Sequence, residues 1–236
     1  MTSFLKTMTE KLEKLKNDPE ERKWEGDFTF VQGADCQFGL IDRYIFKKEI
    51  PNWDKEIKLS EAAIEQINGL VPKPKFFVIC GDMLDAFPYA GLYFLDPLSC
   101  CSCWKSFKYF CVYNVGKERE LRNEQLADFH KVYSKVDPEI PLICVCGNHD
   151  VGDIPTKENV QIYREQFGED FFIFWKAGVR FVVLNSQYYM NSDDVEEELA
   201  KQNALVNSLK NESGAVHTGN TYPDLFENSH RSLIIW

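Results

Sequence analysis

The segment "CVCGNHD" (144–150) ends an apolar run in one glycine, followed by an amide, an imidazole and a carboxylate. The run begins at Leu142, and "LICVC" has apolar residues at odd and even positions alike, the pattern of a strand buried on both faces. Two earlier stretches repeat the device. "FFVIC" (76–80) empties into Gly81-Asp82, and "FTFVQ" (28–32) alternates like a half-buried strand before Gly33-Ala34-Asp35.

The intervals between them read as helices. Ile57, Ile64, Ile67 and Leu70 share one face of a helix over 54–70, which Pro72 and Pro74 stop. Leu121, Phe129, Val132 and Val136 do the same over 117–136, before Pro138 and Pro141. Strand, helix, strand, helix, strand is the order of an α/β fold with a parallel sheet. In such a sheet ligands gather outside the carboxyl ends of the strands, so Asp35, Asp82 and Asn148, far apart in sequence, become neighbours. Their oxygens suit magnesium, manganese or iron. A single Gly-Asp is a common turn dipeptide and implies little; three strand endings in order, the last a full "GNHD", point to a metal site.

Thr156 caps a further helix through Val160, Tyr163 and Phe167 that Gly168 closes. "FFIFWKAGVRFVVLN" reads as a hairpin turning at Lys176-Ala177-Gly178, and 194–210 as an amphipathic helix through Val195, Leu199, Val206 and Leu209. The closing "RSLIIW" has the look of a strand. Residues 1–23 form an N-terminal arm in which Phe4, Leu5, Met8, Leu12 and Leu15 make one helical face, resting on the body or, less favoured, on a membrane surface. Residues 87–116 crowd aromatics and cysteines without a period and read as an insertion in the 24–236 body. Cys100, Cys101, Cys103 and Cys111 lack the paired spacing of a zinc knuckle.

The formal charge of −10 argues against nucleic acid or an anionic membrane as main partner, and favours bound cations. The start has no secretory h-region, and no stretch of about 18 apolar residues exists, so a cytoplasmic protein without a transmembrane span and with reduced cysteines is expected. Oligomeric state is not legible.

"GADCQFG", "ICGDMLDAFP" and "VCGNHDVGDIPT" together resemble the calcineurin-like metallophosphoesterases. The resemblance implies a four-layer αββα sandwich in which two divalent metal ions (Mn, Mg, Fe or Zn) sit at the strand ends, with a bridging hydroxide that attacks phosphorus in line. By matching positions Asp35 would bind the first metal, Asp82 would bridge both and Asn148 would bind the second. His149 would serve the leaving oxygen, and Asp150 would orient its imidazole. The implied activity is hydrolysis of phosphate monoesters on serine or threonine of proteins, and for the narrower branch the implied substrate is a protein kinase of the Akt type.

Two positions depart from the pattern. Many relatives have Asp-x-His in the first motif, whereas this chain has Asp35-Cys36-Gln37, so Gln37 is a candidate amide ligand or a plain turn residue. The family also continues past the strand resembling "LIIW" to a further histidine and a Gly-His-x-His motif. His217 and His230 are not followed by it, and they and His130 read as surface or structural residues. A domain incomplete on its C-terminal side is therefore expected, with a weakly held second metal. The rival readings are a phosphodiesterase or nucleotide phosphatase on the same core, and a noncatalytic binding remnant.

Overall fold

The computed structural model describes residues 2–88, 104–212 and 232–235. Helix α1 (Ser3–Asn17) is followed by strand β1 (Val31–Ala34), helix α2 (Asp54–Asn68), strand β2 (Phe77–Cys80), helix α3 (Trp104–Tyr133) and strand β3 (Leu142–Val145). Then come α4 (Asn148–Val151), α5 (Lys157–Phe167), β4 (Phe172–Lys176), β5 (Val179–Val183), α6 (Gln187–Met190), α7 (Glu196–Glu212) and β6 (Ser232–Ile235). Strands β1, β2 and β3 form a parallel sheet in that order, while β4 and β5 pair as an antiparallel hairpin with β6 parallel to β5.

Side chains alternate across a strand, so the two-sided apolar runs feed two different cores. Phe77, Ile79, Leu142 and Cys144 join Ile64 and Ile67 of α2, Phe129 and Val132 of α3, and Val160, Tyr163 and Phe167 of α5. On the other face Val78, Ile143 and Val145, with Phe76 just before β2, meet Phe172, Phe174, Phe181 and Val183 of the second sheet. Phe76 is the hub between the sheets: its ring stacks on Phe30 at 4.7 Å and meets Phe174 and Phe181 edge-on at 5.4 and 4.9 Å. The far face of the second sheet carries Val182, which packs with Leu184 and with Val206 and Leu209 of α7.

The hairpin turns where expected. Ala177 and Gly178 both have positive φ, as a two-residue turn requires. A Cβ on Gly178 would lie 2.5 Å from Trp24 Cα, so only glycine fits there. The arm is built into the body. Leu5 and Met8 enter the core under α3 and α5, and Leu15 enters the core between the sheets.

Two boundaries differ from the sequence reading. The first strand starts at Val31 rather than Phe28, because Phe28 and Phe30 pack against the inter-sheet core before the parallel pairing begins. The third helix starts at Trp104, well before the expected Lys117, so part of the 87–116 interval is helical. A segment whose apolar residues share no single helical face gives no periodic signal in the sequence. Residues 89–103 of that interval, with Cys100, Cys101 and Cys103, lie outside the described residues, as do His217 and His230.

Candidate metal centre

Register assembles the site. Ala34 pairs with Cys80 and Cys80 with Val145, so the three parallel strands end level with one another. Asp35, Gly81-Asp82 and Gly147-Asn148 leave the sheet along a single edge. The exits are tight: a Cβ on Gly147 would stand 2.2 Å from Asp82 Oδ1, and one on Gly81 2.9 Å from Gly147 Cα. Asp35, Gln37 and Asp82 all adopt positive φ, at 54°, 25° and 52°. Non-glycine residues avoid that region, and backbone strain of this kind gathers at sites that the surroundings hold in place.

Asp82 is the centre of the constellation. Its Oδ1 accepts from the His149 amide at 3.0 Å, and the Gln37 Nε2 lies 3.4 Å from its Oδ2. Burial raises its pKa, and the charges of Asp35 and Asp153 add to the rise against the His149 amide and imidazole. Asn148 opens α4, and its Nδ2 donates to Asp153 at 2.7 Å, so Oδ1 is the atom it could offer to a cation. Crowded carboxylates beside two amide oxygens are a hard, all-oxygen donor set of the kind that magnesium or manganese accepts. Among the described residues no group of three histidine, cysteine, aspartate or glutamate side chains is arranged to hold a metal, so the set is partial.

His149 and Asp150 do not pair as the sequence suggested. The imidazole Nδ1 lies 3.0 Å from the Asp85 carbonyl oxygen, and the ring stacks on Phe87 at 4.3 Å. A carbonyl can only accept, so Nδ1 carries a proton and Nε2 is the nitrogen left for chemistry. Asp150 instead accepts from the backbone amides of Asp82 at 2.7 Å, Gly147 at 2.8 Å and Met83 at 3.2 Å. The reason is local: consecutive residues of a helical turn point apart, and an acid at the third position of a helix reaches back to the cap amide. Burial pushes the Asp150 carboxyl up to about 7, opposed by the Arg122 charge and the Gly147 amide. Asp150 thus braces the turn after β2 to the turn after β3.

The structure adds three residues that sequence reasoning did not single out. Asp85 is buried, with Arg43 Nε 2.9 Å from its Oδ2 but off the hydrogen-bond direction, and burial pushes its carboxyl up to about 6 against Arg43 and His149. Arg43 also forms a two-pronged pair with Glu118 on α3. Arg122, buried on α3, donates through Nη1 to the carbonyl of Ala86 at 2.5 Å and reaches that of His149 at 3.5 Å, so it ties both turns to the helix. The Asp82-x-x-Asp85 spacing was a usable signal for Asp85; nothing local marks the arginines.

The strand ends of the parallel sheet thus bring carboxylates, an amide and an imidazole to one edge. No family model matches the chain. It is similar to the serine/threonine-protein phosphatase CPPED1 of Bos taurus, 40% identical over 173 residues that cover 72% of this chain and 46% of that one. The Homo sapiens protein of that name is 41% identical over 176 residues, covering 73% and 46%, and the Danio rerio one 32% identical over 197 residues, covering 82% and 54%. These relatives are homologues of the chain over 72% or more of its length, and they carry the name of a calcineurin-like phosphoesterase. It spans about half the length of the curated relatives it matches.

Proposed function

We propose that the chain serves a metal-dependent phosphatase that hydrolyses phosphate monoesters on serine or threonine of proteins. The observation that supports it most is the level ending of β1, β2 and β3, which sets Asp35, Asp82, Asn148 and His149 along one edge. The two cores on either face of the parallel sheet, with α7 beyond the second sheet, support a four-layer αββα arrangement of the 24–236 body.

Asp35 and Gln37 would hold one divalent cation, Asn148 a second, and Asp82 both. When bound, the cations would supply positive charge for a phosphoryl group and acidify a water. The remaining work falls to the chain. Asp150 keeps the two ligand-bearing turns in register, and the Asp85 carbonyl and the Phe87 ring fix the plane of His149. As imidazolium, His149 would deliver the Nε2 proton to the departing alkoxide. A cytoplasmic setting and an Akt-type kinase as substrate belong to this reading through the family resemblance alone.

The test is hydrolysis of a phosphoserine peptide with and without Mn²⁺, beside Asp82→Asn. Turnover that needs Mn²⁺ and collapses in the variant upholds the proposal; turnover indifferent to the substitution rejects the metal role. A second reading, a noncatalytic binding module, draws on the partial donor set among the described residues. Metal binding without turnover of any phosphomonoester would favour it.

A further inference from the structure

An asparagine side chain has two ends of nearly the same shape, a carbonyl oxygen and an NH₂ group, and a half-turn about its last bond exchanges them. The oxygen attracts a cation and the NH₂ repels one. What surrounds the Asn148 amide therefore decides whether it can serve a metal.

The surroundings supply one carboxylate. Asp153 Oδ1 accepts from Asn148 Nδ2 at 2.7 Å, within the range of charge-assisted hydrogen bonds. An ionised carboxylate only accepts, so a reversed amide would lose this bond and set its oxygen lone pairs against those of Asp153. Asp153 thus draws Nδ2 toward itself and turns Oδ1 the other way. It also stands close enough to the centre for its charge to be felt there: the Asp82 pKa, raised first by burial, is raised further by Asp35 and Asp153.

The Asp153 side chain is exposed, but its backbone is held on both sides. The Gly152 amide donates to the Asn148 carbonyl at 2.7 Å and closes the turn that starts at Asn148. Gly152 has a φ of 91°, and a Cβ there would lie 3.1 Å from Asn159 Nδ2 and 3.2 Å from the Ile154 carbonyl oxygen, so glycine is needed to bring Asp153 back toward Asn148. Beyond Asp153, Pro155 is buried, Thr156 caps α5 by accepting from the Asn159 amide at 3.1 Å, and the Lys157 amide donates to Asp194 at 3.0 Å. The carboxylate is therefore presented from a fixed turn and does not depend on the chance rotamer of a loose loop.

We propose that Asp153 is a positioning residue of the metal centre: by holding Asn148 Nδ2 it presents Asn148 Oδ1 to a divalent cation, acting through the amide and not as a ligand itself. The bond also polarises the amide and makes its oxygen a better donor, as hydrogen-bonded partners behind a metal ligand do. The role toward a metal rests on the metal-dependent reading above; the orientation of the amide in the metal-free chain rests on the geometry alone.

The experiment compares the unmodified chain with Asp153→Ala and Asp153→Asn. Asparagine at 153 keeps an acceptor oxygen for Asn148 and loses the charge, whereas alanine loses both. Mn²⁺ affinity is measured by calorimetry. The Asn148 side-chain NH₂ is followed by ¹⁵N NMR in the metal-free chain, its signal assigned by its absence in Asn148→Ser, and a urea melt of each variant checks that it is folded. The expected result is Mn²⁺ binding weakened about 10–100-fold by alanine and mostly recovered by asparagine, with an Asn148 NH₂ signal that shifts in the former and holds in the latter. Unchanged Mn²⁺ affinity in Asp153→Ala overturns the proposal. Equal weakening in both variants overturns it too, because Asp153 would then act by its charge or as a ligand. If the unmodified chain binds no Mn²⁺, the metal reading fails and takes the role toward a metal with it, while the NMR signal still decides the orientation: a shift with alanine upholds it, and no shift overturns it.

Discussion

Asp150 and Asp170 are both buried, yet the chain treats them in opposite ways. Asp170 meets side chains: Arg164 Nε at 2.6 Å, Asn185 Nδ2 at 3.1 Å and the Tyr188 hydroxyl. Arg164 in turn pairs with Glu198, so α5, α6 and α7 are tied together through one neutralised ion. Asp150 meets only backbone amides, those of the two turns that carry Asp82 and Asn148. Its nearest balancing cation, Arg122, is itself buried, with Nη2 unbonded among the described residues. The first arrangement holds helices in place; the second holds two turns in place, and its charge is left less well satisfied. A buried charge that is incompletely satisfied gives up stability that a well-paired one keeps.

Removing the cation from the structural cluster sharpens that contrast most. Arg164→Ala leaves Asp170 buried with two neutral donors and should lower unfolding free energy by about 3 kcal/mol, while turnover per folded molecule holds steady; urea melts and activity on the same samples check this. Asp82→Asn should do the reverse, lowering turnover more than about 10²-fold, roughly 3 kcal/mol of barrier, with a melting midpoint close to that of the unmodified chain. If both substitutions damage stability and turnover alike, the two regions are not distinct.

Asp150→Asn is expected to fall between them. The amide keeps one acceptor oxygen for three backbone donors, so about 1–3 kcal/mol of stability is lost with the unsatisfied N–H groups. Turnover should also drop by about 10–100-fold, the usual cost of disturbing the groups behind a metal ligand. Loss of stability without loss of turnover would make Asp150 a second Asp170.

The last effect is in pH dependence. The Asp85 carboxyl titrates near 6 in the folded chain, above its ordinary value of 3.8, because burial disfavours the anion. Between those values the folded state binds more protons than the unfolded one, so this group's contribution to stability falls as pH rises from about 4 to 6 and is level above. Asp85→Asn should flatten that portion of a stability-against-pH curve. An unaltered slope would mean that Arg43 neutralises Asp85 fully.

How much of this was legible in the sequence follows from which interactions are local. The three parallel strands and their Gly-Asp and Gly-Asn-His-Asp endings could be read directly, because a strand buried on both faces is a short apolar run and its exit needs special backbone. The placing of Asp35, Asp82 and Asn148 at one edge of the sheet was read this way. The partner of His149 differs from the expectation because Asp150 was assigned to the imidazole through the family resemblance, whereas helical geometry turns neighbours apart and hands the imidazole to the Asp85 carbonyl. Arg43 and Arg122 act across 42 and 36 residues, on Asp85 and Ala86, and carry no local mark. The start of α3 was hidden because Trp104, Phe107, Tyr109, Phe110 and Tyr113 follow no single-face repeat.

The most direct test of the account is calorimetric Mn²⁺ titration of the unmodified chain against Asp82→Asn. The account predicts saturable binding in the former and at least about ten-fold weaker binding in the latter. Equal affinity in the two would mean that the carboxylate at the centre of the three strand ends is not a metal ligand, and the proposed centre would not stand.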